Sequence, residues 1–109
     1  MLVVNRFRDW GAGTHPDLQS VLALLAAQRG YVDGAVGRNV DEPELWLLWT
    51  RWEGPGAYRR ALSSYDVKTE GWPVLSKALE EPSAYEVVEP GGESNEPVPR
   101  GSDWSGPLG

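Results

Sequence analysis

Strand and helix patterns in the order β-α-β-β-α(α)-β, together with a tryptophan-rich segment that is apolar on both sides, predict an α+β domain built on a ferredoxin-like antiparallel sheet. The segment is Glu44–Glu53, Glu-Leu-Trp-Leu-Leu-Trp-Thr-Arg-Trp-Glu, and it holds three of the six tryptophans in a chain of 109 residues. It is short for a globular helix and rich in aromatic residues, which favours a strand. Side chains alternate along a strand, so Trp46, Leu48, Thr50 and Trp52 share one face and Leu45, Leu47, Trp49 and Arg51 the other. Both faces are largely apolar, so both need cover.

The first strand spans Met1–Arg8. Val3, Asn5 and Phe7 fall on one face; Leu2, Val4, Arg6 and Arg8 fall on the other. Asn5 is the odd member of its row, because an amide among apolar side chains needs a partner. It bonds a neighbour or sits near a sheet edge, or else it offers its amide to a ligand; the residue alone favours the former. After the glycine-containing loop Asp9–Gly13, Thr14-His15-Pro16-Asp17 reads as a helix start capped by Thr14, with His15 a surface or capping residue. Leu18, Val21, Leu22, Leu25 and Ala26 form one apolar stripe, and Gly30 supplies the stop.

Tyr31–Val40 reads as a strand loosened by Gly34 and Gly37, and glycines in a strand mark bulges or close approaches. Asp41-Glu42-Pro43 turns the chain into the tryptophan-rich strand, which closes a hairpin. Beyond Gly54-Pro55-Gly56, Ala57–Ser63 is a short helix. Val67–Leu79 is a second helical piece in which Pro73 requires a kink or break, with Trp72, Leu75 and Leu79 on its apolar side. The last strand is Pro82–Glu89. Residues 1–89 therefore make one domain. Pro90–Gly109, with four prolines and five glycines and no periodicity, reads as a flexible acidic tail whose one sticky residue is Trp104.

Right-handed crossovers put both helical layers on one face of the sheet. The other face, with Leu2, Val4, Leu45, Leu47 and Trp49, is left bare, and a second copy packed sheet on sheet is the simplest lid. Between helices and sheet, Phe7, Trp46, Trp52, Tyr58, Tyr65 and Trp72 gather as an aromatic collection able to leave an apolar pocket. Asn5, Thr50, Tyr58 and Tyr65 can supply its polar groups.

Composition narrows the function. The chain has no cysteine and one histidine, which excludes disulfides, thiolate metal sites and a histidine-based metal cluster. The formal charge is −6, from 10 Lys and Arg against 16 Asp and Glu, with no basic run, which argues against nucleic acid. Val21–Ala27 is far shorter than the ~20 residues of a membrane span. A soluble, cytoplasmic protein is the default.

Several short segments resemble the antibiotic biosynthesis monooxygenase family: Val-Val-Asn-Arg-Phe at the start, Gly30-Tyr31, Leu45–Glu53, Ala57-Tyr58-Arg59 and Ala84-Tyr85-Glu86-Val87. The resemblance runs from about Leu2 to Val88. It implies a ferredoxin-like domain that dimerises through its sheets into an α/β barrel. It also implies a monooxygenase that acts with molecular oxygen, and without metal, flavin or other cofactor, on an electron-rich aromatic such as a polyketide anthrone or a quinol. Trp52 and Tyr58 resemble that branch's tryptophan–tyrosine pair. Its strand asparagine is replaced here by Leu48, and its later arginine falls near Trp72, so Asn5 is the residue to supply the amide. The implied catalytic set is Asn5, Trp52 and Tyr58, with Phe7, Trp46, Tyr65 and Trp72 binding substrate. A non-catalytic dimeric module that holds a hydrophobic small molecule is the alternative, since the pocket tyrosines are poor bases. A haem-degrading branch ranks below both, because the position of its axial histidine falls at Gly71–Trp72.

Overall fold

The computed structural model describes residues 1–9 and 16–88. Thr14, His15 and the predicted tail Pro90–Gly109 with Trp104 lie outside the described residues. Four strands form one open antiparallel sheet: β1 (Leu2–Arg8), β2 (Tyr31–Arg38), β3 (Leu45–Trp52) and β4 (Ala84–Tyr85), in the spatial order β2-β3-β1-β4. That is the split β-α-β arrangement the pattern predicts. Residues α1 (Leu18–Ala26) and α2 (Pro55–Leu62) provide the two main helices, and a π-helical turn, Val67–Gly71, leads directly into α3 (Trp72–Leu75).

Register follows the alternation read from β3. Val3 lies opposite Thr50, Asn5 opposite Leu48 and Phe7 opposite Trp46, all on the helix side. Val3, Phe7, Leu48, Thr50 and Trp52 are buried there beneath Leu18, Val21 and Leu25 of α1, Ala57 and Ala61 of α2, and Val67 and Leu75. On the opposite face Leu2, Val4, Leu47 and Trp49 are half-buried, Leu45 is buried and Tyr85 is exposed. Ion pairs edge this face: Arg6 with Glu81 at 2.7 Å and Arg51 with Asp33 at 2.6 Å.

Local chemistry differs from expectation in several places. Asp17 caps α1: its carboxylate accepts from the Ser20 amide at 3.2 Å and from the Ser20 hydroxyl at 2.8 Å. Gly30 does not end α1 directly. It sits in the turn before β2 at φ +92°, where an added Cβ would collide with the Cβ of Ala57, so the turn both needs a left-handed residue and lies against α2. β2 stops at Arg38: the Asn39 amide still donates across the hairpin to the Leu45 carbonyl at 2.8 Å, while its side-chain oxygen accepts from the Asp41 and Glu42 amides to build the turn. α2 starts two residues earlier than predicted, with Pro55 in its first turn, where the missing N–H costs nothing. The last strand is cut to two residues, Ala84 and Tyr85, paired with Val3 and Leu2. Val87 and Val88 stay exposed.

The break required by Pro73 takes the form of the π-helical turn. The Trp72 amide donates five residues back, to the Val67 carbonyl, and Pro73, which has no N–H to give, falls in the first turn of α3. Gly71 then occupies the inward slot, where a Cβ would lie 3.4 Å from Val67 and 3.6 Å from Leu24 of α1. No helix among the described residues is long and apolar enough to cross a membrane.

Candidate functional site

β3 ends at Trp52, whose backbone is held by β1: the Trp52 amide donates to the Met1 carbonyl at 2.8 Å, and the Met1 nitrogen donates to the Trp52 carbonyl at 2.9 Å. The Trp52 indole points to the helix side and is 2% exposed. Its N–H donates to the Thr50 hydroxyl oxygen at 2.7 Å, two residues back on the same face. Two tyrosine rings flank it. Tyr31 meets it edge-on, with centroids 5.6 Å apart and planes at 83°. Tyr58 leans on it at 5.5 Å and 55°. Both separations suit favourable aromatic pairing.

Tyr58 comes from α2, through which Ala57, Tyr58 and Ala61 turn inward. Burial pushes its phenol above the ordinary tyrosine value of 10.0, and hydrogen bonding with the Asn5 side chain opposes that rise. A phenol in this state stays protonated at neutral pH. It can donate a hydrogen bond to an oxyanion, and it is a poor acceptor of protons. Asn5 itself is half-buried on β1, so β1, β3 and α2 bring Asn5, Trp52 and Tyr58 into one cluster.

The predicted substrate-binding residues do not join them. Phe7 is fully buried in the core opposite Trp46. Trp46 stands six residues from Trp52, about 20 Å along an extended strand. There its N–H donates to Asp9 at 2.8 Å and the Arg38 guanidinium lies 4.8 Å over its ring. Tyr65 is 77% exposed and Trp72 54% exposed, so neither stands between helices and sheet as expected. The π-helical turn is the cause for Trp72: the widened register puts Gly71, not Trp72, against α1. Tyr65 lies in the turn ahead of it, outside the apolar stripe.

Tyr31 is the member of the cluster that sequence reasoning missed. Its odd number places it with Asp33, Ala35 and Gly37, which lie opposite Arg51, Trp49 and Leu47 on the open face. A β-bulge at Val32 reverses that parity and sets Tyr31 opposite Trp52 on the helix side. Gly34 and Gly37 were the available signal, and the irregularity does lie next to Gly34. A groove of about 360 Å³ exists elsewhere, at the hairpin end of the sheet, lined by Arg6, Arg38, Val40, Leu45 and Trp46 among others. Its two arginines are engaged, Arg6 by Glu81 and Arg38 by the Pro43 carbonyl and the Trp46 ring.

Several solved structures share this fold. Among solved structures it is similar to SnoaB, a cofactor-independent oxygenase from Streptomyces nogalater, at a TM-score of 0.62 and 23% identity, over 82% of this chain and 93% of that one. It is similar to a provisionally named antibiotic biosynthesis monooxygenase from Chloroflexus aurantiacus, at a TM-score of 0.59 and 18% identity over 81% of this chain and 93% of that one. A protein of the same provisional name from Bordetella bronchiseptica gives a TM-score of 0.57 and 18% identity, over 80% and 96% of the two chains. The fold is thus the one that the sequence resemblance implied. No protein-family model matches the chain, and no curated protein matches it in sequence.

Proposed function

We propose that residues 1–89 form a cofactor-independent monooxygenase of the antibiotic biosynthesis type, a soluble cytoplasmic homodimer acting with molecular oxygen on an electron-rich aromatic such as a polyketide anthrone or a quinol. The observation that carries this is the meeting of Asn5, Trp52 and Tyr58 on a fold shared with a cofactor-independent oxygenase. In the proposed chemistry the substrate does the redox work. Loss of a proton from the anthrone or phenol gives an electron-rich anion, which passes an electron to oxygen. One oxygen atom is then added to the ring carbon and the other leaves as water, with every electron coming from the substrate. Asn5 and Tyr58 serve the anion as hydrogen-bond donors, and donors aimed at developing negative charge in an apolar setting are worth far more than in water.

Oxygen uptake with a panel of anthrones and hydroquinones tests this. The expected result is uptake above buffer that falls in Asn5→Ala and Tyr58→Phe while the fold is kept. Uptake equal to buffer with every compound ends the proposal.

One observation favours a second reading. Tyr58, the phenol of the cluster that meets Asn5, is held protonated and cannot act as base at neutral pH. A binding module that holds the same aromatic without turning it over needs no base. Saturable quenching of tryptophan fluorescence by a dihydroxyanthraquinone, with no oxygen uptake, is the outcome that selects it. Haem titration with no Soret shift removes the haem reading.

A further inference from the structure

Trp52 is 2% exposed, and its surroundings use what it has to offer. Thr50, itself 2% exposed, takes the indole N–H. Tyr31 and Tyr58 take its ring. Thr50 in turn is seated by a close approach of β2. A Cβ on Gly34 would lie 2.6 Å from the Trp49 carbonyl oxygen, 3.0 Å from the Thr50 methyl and 3.1 Å from the Tyr31 hydroxyl. Only a bare α-carbon lets Thr50 and Tyr31 settle at that spot. Tyr58, by contrast, stands on an eight-residue helix whose N-terminus has no side-chain cap, so the packing of its inward face decides where the phenol points.

We infer that Trp52 is a positioning residue rather than a group that meets substrate: Gly34 and Thr50 lock its indole, and the locked indole aims the Tyr58 hydroxyl at the Asn5 side. This rests on the reading that Asn5 and Tyr58 hold the substrate oxyanion. It divides the predicted catalytic set, leaving the hydrogen bonding to Asn5 and Tyr58. Removing the acceptor from a buried indole N–H leaves an unmet donor, so Thr50→Val drives the indole to turn, whereas Thr50→Ser keeps the acceptor.

The test uses the full chain, with tyrosines labelled at the ring carbon that bears oxygen, and follows the Tyr58 titration by NMR without ligand. Thr50→Val is expected to push the Tyr58 titration further above its ordinary value, because the Asn5 hydrogen bond that opposes the rise is lost, and Thr50→Ser to leave it as in the parent. An unchanged titration in a folded Thr50→Val overturns the inference. With an anthrone as probe, Thr50→Val and Trp52→Phe are expected to lower kcat by roughly tenfold or more, as misplaced groups do. KM should stay within about twofold, and a raised KM with kcat kept shows that Trp52 touches the substrate and overturns the inference too. Where the parent protein oxidises no anthrone, the oxygenase proposal fails by itself, and the ligand-free titration still decides whether Trp52 positions Tyr58.

Discussion

The two faces of the sheet are built from alternate residues of the same strands, yet they solve different problems. On the helix side, Val3, Phe7, Leu48, Thr50 and Trp52 are nearly sealed, and each polar atom there is matched, Trp52 to Thr50 and Tyr58 to Asn5. On the open side, Leu2, Val4, Leu47 and Trp49 are half-covered by one another and edged by exposed ion pairs. A sealed face is fixed by packing and can hold a phenol in place to a fraction of an ångström. A half-covered apolar face inside a charged border is what self-association requires. One period-two pattern therefore carries the proposed site on one side and the proposed dimer contact on the other.

The largest expected effect separates the faces by stability. Phe7→Ala should cost about 3–5 kcal/mol in urea unfolding, because it leaves a cavity in a filled core. Val4→Ala, three residues earlier on the open face, should cost clearly less, and equal losses break the distinction between the faces. Next comes association. Trp49→Asp should leave the circular dichroism of the fold intact and abolish the proposed dimer in sedimentation, since a charge buried at a sheet-on-sheet contact lacks a partner. A variant that still sediments as a dimer shows that the copies meet elsewhere.

A smaller effect appears in alkali. In the unfolded chain Tyr58 ionises near 10.0, and in the folded chain it ionises higher because burial disfavours the phenolate. Between those two values the folded state holds the extra proton. Its contribution is whole below pH 10 and is lost as pH rises through the folded value. Tyr58→Phe should flatten the alkaline decline of the melting temperature, and parallel declines in both proteins contradict the burial of the phenol. The smallest effect belongs to Arg51→Ala. Its pair with Asp33 is solvent-exposed, so the urea midpoint should move little and the shift should vanish in high salt.

Much of this was readable before any coordinates. The alternation of β1 and β3 assigned both faces correctly, and it put Asn5 and Trp52 on the helix side. The crossover order specified the sheet. What was not readable is instructive, and two of the misses come from one residue out of step. The bulge at Val32 moved Tyr31 to the other face. The wide turn at Val67–Gly71 rotated Trp72 outward. Periodicity assumes a constant repeat, and neither device leaves a strong local signal beyond Gly34 and Pro73. Distance along a strand explains Trp46: sharing a face with Trp52 does not make two residues neighbours when six positions separate them. The Thr50–Trp52 bond needed rotamers, which spacing does not supply.

The bulge has an evolutionary corollary. Deleting the single codon for Val32 would set Tyr31 directly before Asp33, still opposite Trp52 and still facing the helices, so the ladder would become regular and the phenol ring would keep its place. A chain of this design can shed one residue at that point in one mutational step and keep its aromatic wall.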